Sequence, residues 1–176
     1  LLIFSLVVAK FVSRRQEELL QEVHRVSFEG RLSRVQTTLH QVLLELQNLE
    51  ALAAQPTSDP RHAQTRFDST TLLFLGELRV VHELLYSPQQ SPDEGSLVRI
   101  VSTLASALSE LCEILASSSP ASFSDPHNTA ATIGRLASEF CAECVPAHHT
   151  QALQPWTQEI ERAARTLREV RSERSV

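Results

Sequence analysis

A repeating apolar pattern in residues 28–53 constrains the fold of this chain more than any other feature. Apolar residues recur there at alternating steps of four and three: Phe28, Leu32, Val35, Leu39, Val42, Leu46, Leu49 and Ala53. This spacing places one side chain per turn on a single helix face and turns residues such as Gln36 and Glu50 away from it. We therefore predict a helix that packs along its length against other helices.

The composition agrees with one all-α domain. The 176 residues include only 4 Gly and 7 Phe, whereas a sheet-rich fold would need more turn glycines and more alternating aromatic and β-branched residues. The net charge is −5 and the sequence contains a single Lys, which argues against a broad nucleic-acid interface. Three cysteines are too few for a disulfide framework, although one bridge and one thiol remain an alternative.

Segments rich in proline and serine divide the chain into four predicted helices. Their expected bounds are about 14–54, 61–86, 93–117 and, for a last helix that Pro146 interrupts, 127–145 plus 150–174. We predict an antiparallel up-down-up-down four-helix bundle over 13–176, with a long first helix and a broken last helix. In this order the surplus lengths of the first and last helices would project together as a two-helix stalk.

The first twelve residues read LLIFSLVVAKFV and are followed closely by Arg14 and Arg15. Twelve residues cannot cross a bilayer, which needs about 20, so we interpret residues 1–12 as the C-terminal part of a truncated transmembrane helix. The two arginines would then lie at the lipid headgroups. The alternative is a buried helix end or the remnant of a signal peptide.

This layout of an apolar start, a long first helix, two shorter helices and a long last helix resembles the extracytoplasmic four-helix sensory domains of bacterial chemoreceptors and sensor kinases. The resemblance covers nearly the whole chain but concerns layout only, and no motif of those families is matched residue by residue. The resemblance implies an extracytoplasmic, periplasmic input domain of a receptor. Such a domain binds a small molecule or a protein and passes a shift of its last helix through the membrane.

A rival hypothesis is a membrane-anchored helical scaffold or tether that faces the cytosol and mediates protein–protein interactions. Two observations favour it. Arg14 and Arg15 directly follow the apolar run, which the positive-inside rule places on the cytoplasmic side. Cysteine thiols also persist more readily in a reducing compartment.

Four arginines are candidates for a ligand site, because arginines between the helices of a sensory bundle can clamp a carboxylate through paired hydrogen bonds. Two lie on the predicted first helix and two on the second: Arg31, Arg34, Arg66 and Arg79. The alternative is that they are solvated surface residues.

A cluster of cysteine and histidine near the last helix is the best metal candidate. Zinc binds such mixtures of thiolate and imidazole, and the residues concerned are Cys141, Cys144, His148 and His149. The alternative places Cys144 in the core and the histidines in an exposed turn, with no cofactor.

Catalytic motifs are absent from the sequence, which has no glycine-rich phosphate loop, nucleophile elbow or His-Glu-x-x-His pattern. We therefore expect a protein that is not an enzyme. We also expect a homodimer formed through the first helix, because Val42–Leu46 offers more apolar surface than one core needs. Leu39 and Leu43 are the residues predicted to form its interface.

Overall fold

The computed structural model describes residues 2–53, 59–86, 92–117, 123–125, 128–143 and 151–173. These residues form five α-helices and one 3-10 turn, without a strand in the described ranges. The helices are α1 (Leu2–Ala53), α2 (Pro60–Tyr86), α3 (Glu94–Ser117), α4 (Thr129–Glu143) and α5 (Gln154–Glu173), and the 3-10 turn Gln151–Leu153 leads directly into α5. The predicted all-α class is confirmed.

Side-chain caps define where the helices begin. Asp59 precedes Pro60 and accepts a hydrogen bond from the Arg61 backbone N–H at 3.0 Å, so a cap and a proline in the first turn start α2. Asp93 accepts from the Ser96 N–H at 2.9 Å, and these hydrogen bonds lower the pKa of Asp93. Asp93 is therefore the N-terminal cap of α3.

The start of α4 is fastened to the start of α2. The Asp125 carboxylate accepts hydrogen bonds at 2.8 Å from the backbone N–H groups of Thr129 and Ala130. One residue earlier, the Ser124 backbone donates to and accepts from the Gln64 amide. Phe123 is buried against Phe67, with ring centroids 5.0 Å apart. This short segment therefore holds the two helix starts at one end of the molecule.

The core is built from the predicted apolar seams. In α1 every seam residue from Leu32 to Leu49 is buried and Phe28 is half-buried. The predicted seam of α3 is buried throughout: Leu97, Val101, Leu104, Leu108, Leu111 and Leu115. The pairs of helices that pack together are α1 with α2, α1 with α3, α2 with α4, α4 with α5, and α3 with α5.

Contacts between side chains give the directions of α1, α2 and α4. Glu45 of α1 forms an ion pair with Arg66 near the start of α2. Arg34, earlier in α1, interacts electrostatically with Glu77, later in α2. These two helices are therefore antiparallel. His82, near the end of α2, lies 2.9 Å from the carboxylate of the last α4 residue, and the starts of the two helices are joined as described above. It follows that α2 and α4 run in the same direction.

The direction of α5 follows from its contacts with α3 and α4. Ser109 donates to Glu159 at 3.0 Å, and Cys112, one turn later in α3, lies 3.5 Å from the Ala163 carbonyl oxygen. Because the later residue of α3 contacts the later residue of α5, the two helices are parallel. Against α4 the order is reversed, since Cys141 is near Thr157 while Gly134, earlier in α4, is near Ala164.

These directions correct the expected stalk. The C-terminal end of α5 lies at the end of the molecule opposite the N-terminal end of α1, so the two cannot project together. The predicted last helix, 127–145 plus 150–174, is also not one interrupted helix, because α5 turns back and packs along α4. Gly134 permits this close approach, since a Cβ there would lie 2.9 Å from the Ala164 carbonyl oxygen.

Leu39 and Leu43, which were expected to form a dimer interface, lie in the core or against it, and dimerisation itself stays a prediction. Leu39 has no solvent exposure, and Leu43 is half-buried and packs against the core. Most of the apolar surface of Val42–Leu46 is used within the chain, because α1 packs against both α2 and α3, whereas Leu44 is 47% exposed.

Replacing Gly134 with alanine tests the contact between α4 and α5. We expect the free energy of unfolding to fall by about 1–3 kcal/mol, because the added methyl group overpacks the interface. Gly76→Ala is the matched control, since a Cβ there meets no described atom within 4 Å, and it should stabilise by about 0.5–1 kcal/mol through helix propensity. Urea denaturation measures both variants, and equal effects would contradict the close approach.

Candidate functional site

Arg66 is engaged in a contact between helices. Its Nε donates to Glu45 Oε1 at 2.8 Å, and Nη2 donates to the same oxygen. Both side chains are about one-third exposed, at 31% and 35%. The Arg66 guanidinium therefore joins α2 to α1, and a carboxylate ligand would have to compete with Glu45 for it.

Arg34 interacts electrostatically with the carboxylate of Glu77. In the described part of the chain, Oε2 of Glu77 is buried and has no hydrogen-bond partner. Burial raises the pKa of Glu77, and the nearby positive charge of Arg34 opposes that shift. Arg34 thus compensates in part for a carboxylate that α2 holds against α1.

The four predicted arginines do not form one clamp. Arg31 and Arg79 are exposed, and the antiparallel register of α1 and α2 puts them at about the same level as Arg34. Arg66 pairs with Glu45, which is eleven residues beyond Arg34 in α1, or about 16 Å at 1.5 Å per residue. A carboxylate site on this side of the molecule would therefore use Arg31, Arg34 and Arg79 and not Arg66.

The predicted metal cluster falls largely outside the described residues. Cys144, His148 and His149 lie in 144–150, which the structure does not describe. Cys141 is buried in α4, with its Sγ 3.8 Å from the Thr157 carbonyl oxygen. Within the described ranges, no group of three or more His, Cys, Asp or Glu residues is arranged to hold a metal ion.

A pair of carboxylates from distant parts of the chain was not anticipated from the sequence. The carboxyl of Glu110 in α3 lies close to that of Glu50 in α1. Burial raises the pKa of Glu110, and the neighbouring Glu50 and the negative charge of Glu113 raise it further. Sequence spacing could not reveal the pair, because the parallel packing of α1 and α3 creates it.

A second unanticipated feature is an uncovered apolar surface on the N-terminal part of α1. Residues 12–27 are exposed at every position, and five large apolar side chains lie among them: Val12, Leu19, Leu20, Val23 and Val26. The sequence carried a signal for this surface, because Val26 and Phe28 are out of step in one heptad repeat. Despite this slip, α1 continues past Gly30 as one helix.

No helix among the described residues combines the length and apolar character required to cross a membrane. Comparisons with protein-family models, with curated protein sequences and with solved structures found no match to this chain.

The Glu110 environment predicts a pH-dependent stability. A carboxyl whose folded pKa is raised favours the folded state below its unfolded pKa, near the ordinary glutamate value of 4.5. That contribution is lost as the pH rises through the folded pKa. Glu110→Gln should therefore raise the melting temperature at pH 7.5 and leave it unchanged at pH 4. Glu161→Gln, at an exposed position in α5, is the control. Equal shifts at both pH values would contradict the assignment.

The half-buried Cys112 thiol should react slowly in the folded protein. Burial, with a smaller contribution from the Glu113 charge, raises its pKa from 9.0 to about 11, which lowers the thiolate fraction at pH 8 by about 100-fold. We expect alkylation of Cys112, followed by peptide mass spectrometry, to be at least that much slower in the folded than in the urea-unfolded chain. Comparable rates would show that Cys112 is accessible and ionised.

Proposed function

We propose that this chain is a non-enzymatic helical tether, in which the N-terminal part of α1 holds a protein-binding body at a distance from a membrane. The observation that carries the proposal is the exposure of residues 12–27 on every side. They extend α1 as a single helix for about 24 Å at 1.5 Å per residue before the core begins. The apolar residues 2–11 lie at the far end of this extension, where an anchor would attach.

The direction of α5 favours the tether over the receptor input domain. A receptor of that layout requires its last helix to return towards the membrane that the first helix leaves. In this chain α5 is parallel to α3 and antiparallel to α4, so it runs away from the N-terminal end of α1. The body that we propose to be tethered is a helical bundle made of α1 from residue 28 onward together with α2–α5.

Cysteine labelling in cells tests the tether and its orientation. Ser69 is exposed in α2, so Ser69→Cys in the full natural gene product provides an accessible thiol, and Cys144→Ser removes the native cysteine that lies outside the described residues. Cys112 is half-buried and Cys141 is buried, so both should contribute little. The same product without Ser69→Cys is the matched control.

A cytosol-facing tether predicts that the protein sediments with membranes and resists extraction at high pH. A membrane-impermeant maleimide should label Ser69→Cys only after the cells are lysed. Labelling of intact cells would support the receptor arrangement instead. Recovery of the protein in the soluble fraction would contradict both functions.

A further inference from the structure

The face of α1 opposite the core is uncovered along the body. Positions on this face differ by two residues from the buried seam and so lie on the other side of the helix. They are Gly30, Ser33, Thr37, His40, Leu44, Gln47 and Ala51, and all seven are exposed. Neither α2 nor α3, the two neighbours of α1, covers them.

The same face continues without a break into the N-terminal extension of α1. Counting backwards from Gly30 by the same alternating steps of four and three gives Val26, Val23, Leu19, Gln16 and Val12, which are also exposed. We call the twelve positions from Val12 to Ala51 the outer stripe. None of them is Asp, Glu, Lys or Arg, although α1 carries charged residues along most of its length.

We propose that the outer stripe pairs with the outer stripe of a second copy of this chain, in a parallel and in-register coiled coil. In such a pairing each residue on the seam lies opposite its own copy, so any charged residue would face an identical charge. A seam without charge is therefore what self-pairing requires. The body lies on the other side of α1, so the two bodies do not obstruct each other.

The residues beside the outer stripe are compatible with this arrangement. In a parallel coiled coil, the residue before each seam pair approaches a residue five positions later on the partner helix. Glu29 then approaches Arg34 of the second copy, which is an attractive pair. The other flanking pairs contain no like charges: Arg15 with Leu20, Glu22 with Ser27, Gln36 with Gln41, and Leu43 with Asn48.

Gly30, Ser33 and Thr37 in the middle of the stripe are small, and the Thr37 hydroxyl already has a hydrogen-bond partner. Thr37 Oγ1 donates to the Ser33 carbonyl oxygen of its own helix at 2.9 Å. The hydroxyl therefore needs no water partner when a second helix approaches. Together with Gly30 and Ser33 it leaves room for close contact, while Leu19, Val23 and Val26 provide the apolar area.

A second copy fits this face better than a lipid surface does. Helices that lie on anionic membranes carry an excess of Lys and Arg. Residues 12–29 instead contain four Glu and three Arg. Several of these charges are paired within the helix, Arg14 with Glu18 and Arg25 with both Glu22 and Glu29.

The oligomeric state of the chain in solution tests this inference. Sedimentation equilibrium should give twice the 19.6 kDa of one chain. Val26→Glu, at a side chain that is 56% exposed, should weaken dimerisation by about 100-fold, because it places like charges opposite each other, without changing the helix content. Leu72→Glu, on α2 and also 56% exposed, is the matched control and should remain a dimer. A monomeric parent, or a Val26→Glu variant that dimerises like the parent, would overturn the proposal.

Crosslinking tests the parallel, in-register geometry. Ser33→Cys should form a disulfide between copies under mild oxidation, because the two residues 33 lie opposite each other only in that arrangement. Arg31→Cys, exposed on a different face of α1, should not. Crosslinking of Arg31→Cys in place of Ser33→Cys would overturn the geometry. A soluble dimer that passes these tests would support the inference even if the chain proved not to be held at a membrane.

Discussion

The burial of one face of α1 is the constraint on which the rest of the structure depends. From Leu32 to Leu49 this face is enclosed by α2 and α3, and α4 and α5 complete the core behind them. Burying a side chain the size of leucine contributes about 1.5–3 kcal/mol, so this single seam is a large share of the stability of a small domain. Because all of that apolar area is on one side of the helix, the opposite side is left for contacts outside the core.

The change of face along α1 separates the molecule into a body and an extension. Continued towards the N-terminus, the core-facing positions become Arg25, Gln21, Glu18 and Arg14, which cannot enter an apolar core. The apolar residues move instead to the opposite face at Val26, Val23 and Leu19. If α1 were merely longer than its neighbours, the apolar residues of its N-terminal part would stay on the core-facing side or would be replaced by polar residues. The shift in phase is therefore the physical basis for both the tether and the proposed pairing.

Polar contacts between the helices set their alignment more than they add stability. Glu45 and Arg66 are partly exposed, and an ion pair of that kind contributes at most about 1 kcal/mol. Its effect is to fix the register of α1 against α2, as Ser109 and Glu159 do for α3 against α5. Glu77 and Glu110 act in the opposite sense, since burial makes the ionised form of each less favourable in the fold, and neighbouring negative charge adds to this effect at Glu110.

The amino-acid sequence by itself determined the helices and their buried faces, because helical periodicity and capping by residues such as Asp59 are local properties. It also contained the phase slip between Val26 and Phe28, although the side that would remain uncovered could not be read from it. Only the tertiary structure decided that α5 folds back along α4, that Glu50 meets Glu110, and that Arg66 is held by Glu45 away from the other arginines. The physical reason is that an apolar seam specifies that a helix packs but carries little information about its partner or direction. Those are decided by close contacts such as that of Gly134 with Ala164, between residues far apart in the chain.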